Sequence, residues 1–465
     1  MSTTDLGADE GDSMEIAVLV LFCCALLACV IVKLSVLYAL AFGLVIFVTY
    51  AKVRHFAWRE IGSMVLSGIK TVRGILTVFL LIGILTAVWR VSGTLPTIIA
   101  LAMQLVQPRL MLLLAFLLNC LVSVLTGTAF GTAATMGVIC MSMANSMGIN
   151  PLLTGGAILS GVFFGDRCSP VSTSALLVKQ LTHTQLFTNI RNMLKTGAVP
   201  FVAACVVYGI FGIALGARSG SVDATAVFSR EFDLRWFMVI PAILMLALAI
   251  GKVDVKIAMG VSIVLAVGLG YFFQGESWMS LGRSIVFGYS ARTAEVGRLL
   301  NGGGIVSMVN VAAIVCLSSA YAGIFERTEL LSKIKSGVGA MESKIGNYAG
   351  MLVTSVVTSM VACNQTLAIM LTDQLSAGVG EGHLLDERRR ESTALDLEDT
   401  AVVVSPLIPW SIAGAVPLSS AGAPEISVVA ACFLYLVPLC RLAAGGIRAL
   451  KTRWSLRTDR KKVMA

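Results

Sequence analysis

The residues best suited to chemistry lie in one short polar segment, from Asp166 to Ser174, within a very apolar part of the chain. No charged residue occurs between Leu110 and Gly165, after which an aspartate, an arginine and several hydroxyl residues follow one another. Pro170 has no N–H group and interrupts a helix, and backbone groups freed at membrane depth are tolerated only against protein or a water-lined cavity. We therefore predict an unwound break in a membrane helix. The side chains expected to bind an ion or substrate beside the aspartate are Ser169, Ser172 and Thr173.

Asp166 itself is expected to couple two fluxes. An ionisable residue enclosed by membrane helices is functional by default, because an uncompensated charge there is costly. One carboxylate binds either a proton or a cation, so each ligand displaces the other, and hard cations take carboxylate and hydroxyl oxygens as ligands. The structural alternative is a helix-capping carboxylate or a simple partner for Arg167.

Composition places this segment in a polytopic α-helical membrane protein. Of the 465 residues, 57% are hydrophobic and only 13% are charged, whereas soluble domains carry about 25% charged residues. Many stretches of roughly 20 residues are nearly free of charge, which is the length that spans a bilayer. The net charge of +9 is concentrated in short loops and the C-terminal tail, which indicates a cytoplasmic tail beside lipid and not nucleic-acid binding.

Neither the cysteines nor the histidines form a cofactor motif. The eleven cysteines lie mostly in apolar runs without any CxxC pair, and the three histidines are scattered. Such cysteines behave as small hydrophobic residues, and zinc, haem and iron–sulfur sites need closely spaced ligands. We expect no cofactor beyond the transported ions. Because no metal motif and no nucleophile–base pair stands out, we also expect a transporter and not an enzyme.

Three further polar interruptions occur in apolar segments. The first is rich in glycine and threonine and suits either the tip of a helical hairpin or a mid-membrane break. In the third, two carboxylates precede two prolines; the carboxylates are expected to share proton coupling with Asp166, or only to cap a helix. The candidate binding, coupling or helix-breaking residues are Thr126, Gly127 and Thr128 in the first interruption, Asn364 and Gln365 in the second, and Glu398, Asp399, Ser405, Pro406 and Pro409 in the third, together with Pro170.

The second half of the chain repeats anchors of the first. Ser405-Pro406 follows Ser169-Pro170 by 236 residues, and Val437-Pro438 follows Val199-Pro200 by 238. Internal repeats with short, Gly- or Pro-broken helices are the best sequence indication of a secondary transporter. We predict a disordered N-terminal segment (1–13), N-terminal membrane helices (14–60), a first repeat (61–216), a connecting loop, helices and an amphipathic segment (217–300), a second repeat (301–446) and a basic cytoplasmic tail (447–465).

Two motifs resemble the signatures of NhaC-type sodium/proton antiporters of the ion transporter superfamily. Gly165–Ser172 resembles the family pattern Gly-Asp-Lys-x-Ser-Pro-x-Ser, with arginine in place of the lysine. Leu397–Asp399 and Ser405–Trp410 together resemble the pattern Leu-Glu-Asp followed by Ser-Pro-Leu-Ile-Pro-Trp. The similarity covers roughly Ile61 to Ala443, which is most of the chain.

The resemblance implies an all-α fold of two inverted repeats, each with a re-entrant helical hairpin and a broken helix. It implies hairpin tips at Thr126–Thr132 and Cys363–Thr366, helix breaks at Asp166–Ser174 and Ser405–Trp410, and convergence of all four near the membrane midplane. It also implies a scaffold that forms a homodimer, an elevator-like transport part, and a place in the cytoplasmic membrane. The implied function is exchange of protons for Na+ or another small cation.

One departure from the family pattern keeps a second function open. The family motif continues with Asp-Thr-Thr-Asn, where this chain has Thr173–Leu176, and Ser411 replaces an asparagine that often follows Pro-Trp. Fewer anionic oxygens weaken Na+ coordination. The alternative is a proton- or sodium-coupled exchanger of small organic anions or amino acids, as for malate and lactate. An ion channel is the alternative from a different class.

Overall fold

The computed structural model describes residues 17–26, 28–29, 32, 34–216, 227–251, 253–328, 346–376 and 387–445. In this part of the chain the all-α expectation is confirmed, with one isolated β-bridge between Tyr289 and Gly302. The predicted disordered segment 1–13 and the basic tail 447–465 lie outside the described residues.

The α-helices, in chain order, are α1 (Ala17–Leu26), α2 (Val36–Val53), α3 (Trp58–Thr71), α4 (Arg73–Val91), α5 (Thr94–Leu105), α6 (Met111–Thr126), α7 (Ala129–Thr132), α8 (Val138–Ser146), α9 (Pro151–Cys168), α10 (Thr173–Thr182), α11 (Leu186–Gly216), α12 (Ile240–Ile250), α13 (Val255–Phe272), α14 (Trp278–Phe287), α15 (Ala294–Leu300), α16 (Val309–Thr328), α17 (Asn347–Ala362), α18 (Gln365–Leu375), α19 (Glu387–Glu398), α20 (Ala401–Val404), α21 (Ile412–Ala421) and α22 (Cys432–Gly445).

Several of these helices are suited to a bilayer. Among the described residues, five are long and apolar enough to cross a membrane, and a sixth candidate is a pair bent by 57°. The apolar side chains of α11 recur at helical spacing and are exposed, as lipid-facing side chains would be. The five straight segments are Arg73–Val91, Pro108–Thr126, Leu186–Ala214, Val255–Phe272 and Ile305–Phe325, and the bent pair is Glu387–Leu407 with Ile412–Ala421.

The first helix break is shorter than the sequence predicts. The helix α9 continues through Asp166 and Arg167 and ends at Cys168. Ser169 has an extended backbone (φ −85°, ψ 135°), because the residue before a proline is disfavoured in the α conformation. The next helix then begins after Ser172, whose side chain caps its first turn. The charged pair therefore has helical backbone, and only the hydroxyl-rich residues 169–172 are unwound.

The two hairpin tips share one backbone conformation. Gly127 (φ 68°) and Cys363 (φ 54°) are both left-handed and end their helices. The next residues, Thr128 and Asn364, are both extended (φ −141° and −143°), and each caps the following helix with its side-chain oxygen. Both pairs are separated by 236 residues, which is the offset found in the sequence.

The two helix breaks also match, but at a different offset. The extended Ser169 corresponds in backbone to Ile408 (φ −81°, ψ 117°), 239 residues later. This offset pairs Pro170 with Pro409 and not with Pro406. Pro406 lies inside the 3-10 turn Ser405–Leu407, where a missing N–H is tolerated at the start of a turn. The two Ser-Pro pairs, which are 236 residues apart in the sequence, are therefore three residues out of register with the residues whose backbones correspond.

Close glycine packing positions α9 against α6. A Cβ atom on Gly165 would lie 2.3 Å from Cβ and Oγ of Ser123, and one on Gly161 would lie 2.6 Å from the carbonyl oxygen of Phe116. Small residues four positions apart let two membrane helices approach closely. The hydroxyl of Ser123 also donates a hydrogen bond to the carbonyl of Val162. The position of Asp166 thus depends on the glycine that precedes it.

We expect Gly165→Ala to destabilise the protein by about 1–3 kcal/mol, the usual range for overpacking a filled interior. The methyl group has no space because it meets backbone and Cβ atoms of α6. Thermal unfolding of the detergent-purified protein measures the effect. Gly209→Ala in α11 is the matched control, since a Cβ there meets no described atom within 4 Å. Equal melting temperatures for the two variants would contradict the packing argument.

Candidate functional site

The Asp166 carboxylate lies in a small polar cage. It is only 4% exposed, and its Oδ1 accepts a hydrogen bond from Ser172 Oγ at 3.0 Å. Its Oδ2 accepts hydrogen bonds from Ser174 Oγ at 2.9 Å and from Gln365 Nε2 at 3.4 Å. A buried carboxylate is thereby satisfied by neutral groups alone, without a cationic partner in direct contact among the described residues.

The cage joins three separate pieces of the chain. Ser172 caps α10, which orients Ser174 in the first turn of that helix towards the end of α9. Gln365 begins α18 at the second hairpin tip, and its amide also donates to the carbonyl of Val402 at 3.1 Å. The hydroxyls and the amide carry acceptor atoms as well as donors. They can therefore donate to a bare carboxylate or turn oxygens towards a bound cation.

Arg167, the next residue along α9, faces a different partner. Its guanidinium is completely buried and forms an ion pair with Asp399. Its remaining terminal donors reach the carbonyl of Met193 at 3.0 Å and Thr196 Oγ1 at 2.8 Å. Arg167 therefore neutralises the second-half carboxylate across 232 residues of sequence and does not pair with Asp166.

Asp399 is held between two arginines. Its Oδ2 lies 3.0 Å from Nε of Arg441, and the same arginine pairs with Asp396 one helical turn earlier. The Arg441 guanidinium also lies 5.1 Å from the ring centre of Tyr348, whose hydroxyl donates to the backbone carbonyl of Asp399. Through these contacts α22 and α17 are both held against the end of α19, which precedes the second helix break.

Glu398 is the exception to this pairing. Its side chain is completely buried, and among the described residues neither carboxylate oxygen has a hydrogen-bond partner. It lies within electrostatic range of Arg167, Asp166 and Asp399. The centre therefore holds four carboxylates and two guanidiniums, which leaves two formal negative charges. The carboxylates are Asp166, Asp396, Glu398 and Asp399, and the guanidiniums are Arg167 and Arg441.

The first hairpin tip lies against the first break and borders a cavity. Gly127 contacts Val171, and Ser169 Oγ donates to the carbonyl of Val124 at 2.7 Å. The hydroxyls of Thr126 and Thr132 are 3.0 Å apart. A cavity of about 340 Å³ opens beside this tip. Its lining residues are Val78, Thr126, Thr128, Val171, Ala249, Val253, Asp254, Val255 and Lys256.

The other residues predicted to bind are placed away from Asp166. Thr173 is exposed at the start of α10. Asn364 Oδ1 accepts the backbone N–H of Thr366 at 2.9 Å, as Thr128 accepts that of Gly131. Ser405 is buried, 2.9 Å from the hydroxyl of Ser359. Of the predicted ligands, the structure thus brings Ser172 and Gln365 directly to the carboxylate.

Some residues of the site were missed at the sequence level. Ser174 was missed because the sequence favours Thr173 equally within the same run of hydroxyl residues. In the structure, Ser174 and not Thr173 faces α9 from the first turn after the capping Ser172. Arg441 and Asp396 carried a usable signal: an arginine in an apolar helix, and an aspartate three residues before another. Thr196 carried none that separates it from other threonines in membrane helices.

We expect Asp399→Asn to destabilise the protein by about 3–5 kcal/mol, because it leaves the buried Arg167 without its counter-charge. Asp396→Asn is the matched control. It lies one turn away, its side chain is 14% exposed, and it pairs with the partly exposed Arg441. Thermal unfolding and size-exclusion chromatography in detergent compare the two variants. A smaller loss for Asp399→Asn than for Asp396→Asn would show that the arginine pair does not hold the centre together.

Comparison with known proteins identifies the family of the chain. A sequence model described as the Na+/H+ antiporter family matches residues 13–179 and 161–447. The chain is 27% identical over 405 residues to the Na(+)/H(+) antiporter NhaC of Bacillus subtilis, covering 84% of this chain and 88% of that protein. It is 24% identical to the malate-2H(+)/Na(+)-lactate antiporter of the same organism, covering 77% of each chain. It is 26% identical to the arginine/ornithine antiporter ArcD of Halobacterium salinarum, covering 80% of this chain and 78% of that one. The family match extends over nearly the whole described chain and includes both helix breaks, and the chain therefore belongs to the Na+/H+ antiporter family.

Proposed function

We propose that the protein is a secondary active antiporter that exchanges protons for Na+ or another small cation at Asp166. The observation that carries this proposal is the cage itself, in which the only polar side chains of the described residues that contact the buried carboxylate are two hydroxyls and one amide. Such a group has no fixed counter-charge in contact with it, so a mobile proton or cation supplies it. The similarity to NhaC of Bacillus subtilis supports the same assignment.

Coupling follows from the cost of a bare charge. With a proton or a monovalent cation bound, the Asp166 carboxylate is neutralised, and the segment that carries it can change its exposure to the two sides. With neither ligand, the uncompensated carboxylate resists transfer through the membrane interior. The loaded forms therefore move and the empty form does not. Each cycle then exchanges one ligand for the other by alternating access.

We further propose that residues 61–216 and 301–446 are inverted repeats whose hairpins and broken helices move as an elevator-like transport part. The matching left-handed and extended backbone at Gly127 and Cys363 supports a repeat. Contacts from Gln365 to Asp166 and from the backbone of Ile412 to Cys363 support joint movement of the four polar segments. The homodimer, the cytoplasmic membrane and the cytoplasmic C-terminus remain predictions from the sequence.

The cavity at the first hairpin tip favours one alternative, the exchange of a small organic solute. About 340 Å³ is far more space than a dehydrated metal ion occupies, and the lining includes both a carboxylate, Asp254, and an ammonium group, Lys256. Two relatives named for organic substrates, the malate/lactate and arginine/ornithine antiporters, support keeping this possibility. An ion channel would differ from both by flux that neither saturates nor depends on a counter-ion.

We expect purified protein in proteoliposomes with a lumenal pH dye to move protons when Na+ or Li+ is added. Asp166→Asn should abolish this exchange, because an amide cannot alternate between a proton and a cation. Potassium and then a panel of small organic acids and amino acids are added to the same vesicles. A response to one organic solute and to no metal ion would replace the cation assignment with the organic one.

Asp233→Asn is the matched control for this assay. Asp233 is an exposed aspartate outside the predicted repeats, and it pairs with Arg235. Its variant should exchange ions at the wild-type rate. Normal exchange by Asp166→Asn, with correct folding shown by gel filtration, would refute the role of the carboxylate.

Neighbouring hydroxyls give a sharper test of the cage. Ser174→Ala removes an oxygen that contacts Asp166 and can turn towards a bound cation, so we expect the apparent KM for the cation to rise about tenfold, which corresponds to about 1.4 kcal/mol of binding free energy. Thr173→Ala alters the adjacent exposed side chain and should leave the KM within about twofold. The initial rate of dye response against cation concentration measures both. A larger effect at Thr173 would mean that the cation binds elsewhere.

A further inference from the structure

We propose that Glu398 is a second proton-carrying carboxylate of the exchanger, while Asp399 only positions the two arginines. This inference rests on the proposed function, since it assigns the neighbouring carboxylates of the same centre to different roles. It predicts that each transported cation is exchanged for two protons, one from each of two separate carboxylic acids.

The burial of Glu398 without a partner is the first observation. Its relative exposure is 0%, and neither Oε1 nor Oε2 has a hydrogen-bond partner among the described residues. An ionised carboxylate in such surroundings loses its hydration and gains no hydrogen bond in return, whereas the protonated acid is neutral. In the conformation described, the group is therefore stable with a proton on one oxygen.

The arginines of the centre are the second observation, because each already forms an ion pair with an aspartate. The terminal nitrogens of Arg167 bind Asp399, Thr196 and the carbonyl of Met193. Arg441 binds Asp396 and Asp399. If Glu398 were ionised here, the adjacent Arg167 guanidinium would be its natural partner. Instead that guanidinium is turned to the aspartate one residue later.

Among the described residues, Arg167 is the only cationic side chain within electrostatic range of Glu398. On α10 and α11, the basic side chains Lys179, Arg191 and Lys195 are exposed to the surroundings. The remaining titratable groups within electrostatic range of the end of α19 are Asp166 and Cys168 on α9, Tyr348 on α17, and Asp396 and Asp399 on α19 itself. Each of these is neutral or acidic, so none stabilises a second anion.

The balance of formal charges in the centre then distinguishes Glu398 from Asp396 and Asp399. Asp399 and Asp396 are matched by Arg167 and Arg441, which leaves Asp166 and Glu398. A monovalent cation at Asp166 neutralises one of these two carboxylates. The other must bind its own proton or form a new contact.

The chain provides such a contact. Nε of Arg167 is buried and, among the described residues, without a hydrogen-bond partner. In the exchange step the O–H bonds of both acids break, two protons leave towards one side, and one cation binds to Asp166. The ionised Glu398 can then accept a hydrogen bond from the free Nε–H of Arg167. The protein thus has a place for the negative charge after the proton has left.

The test is the number of protons exchanged per cation, measured in proteoliposomes from the cation gradient that balances an imposed proton gradient and membrane potential. Wild-type protein should exchange two protons per Na+ and respond to the membrane potential. Glu398→Gln, a neutral isostere of the acid, should still exchange, with one proton per cation and no dependence on potential. Glu387→Gln, at the exposed start of the same helix, is the control and should keep the wild-type ratio.

Three outcomes would overturn the inference. A ratio of one in the wild type would do so without any variant. An unchanged ratio in Glu398→Gln would show that the acid stays protonated throughout the cycle. Loss of folding in Glu398→Gln would show that the side chain is ionised and needed as an anion, since replacing the neutral acid should leave the melting temperature nearly unchanged.

Failure of the proposed function would look different. It would show as exchange by Asp166→Asn, or as no cation movement by the wild type. If an organic solute replaces Na+ as substrate, the protons are counted per solute in the same assay.

Discussion

A charge inside a helix bundle needs a partner of opposite sign, and this requirement organises the centre of the protein. Arg167 could not lie buried in the last turn of α9 without the carboxylate of Asp399, because the desolvation of either group alone is costly. The pair connects the first broken helix to the second across 232 residues of sequence. Arg441 then attaches α22 to the same carboxylate, and Tyr348 attaches α17 to the backbone carbonyl of Asp399. The transport centre is therefore assembled around an ion pair that does not itself need to exchange anything.

Because the fixed charges are paired with one another, Asp166 can remain unpaired. Its position one residue before Arg167 gives the two side chains different directions on the helix. The aspartate faces the hydroxyls of α10 and the second hairpin tip, and the arginine faces α11 and the second break. A helix that continued unbroken past Cys168 could not return Ser172 and Ser174 to that carboxylate. Pro170 and the serine cap thus create the cage, and the glycines before them bring α9 close enough to α6 for the break to lie against the first hairpin tip.

The sequence supported the class of fold and the place of the site, but not the contacts within it. Apolar runs separated by Gly, Pro and hydroxyl residues predicted broken helices, because those residues act on the local backbone. Asp166 stood out because it interrupts a long uncharged run. Which hydroxyl faces Asp166 depends on how α10 is rotated about its axis. That rotation is set by the capping hydrogen bonds of Ser172, which the residue pattern alone does not specify. The partner of Arg167 depends on tertiary packing, and a single sequence contains no measure of that packing.

The rotational orientation of α10 also explains which side chains are affected by the departure from the family motif. Where the family pattern has Asp-Thr-Thr-Asn, this chain has Thr173, Ser174, Ala175 and Leu176. The two positions where the family pattern has a carboxylate and an amide, Thr173 and Leu176, are exposed on α10, whereas the side chains that contact the Asp166 carboxylate are Ser172, Ser174 and Gln365. Ser174 stands where the pattern has a threonine, so the hydroxyl that contacts the carboxylate is retained. The substitutions therefore alter the outer face of a short helix and leave the cage around Asp166 intact. The oxygens that the family motif carries at these two positions are therefore not part of the cage described here, and their absence does not by itself exclude Na+.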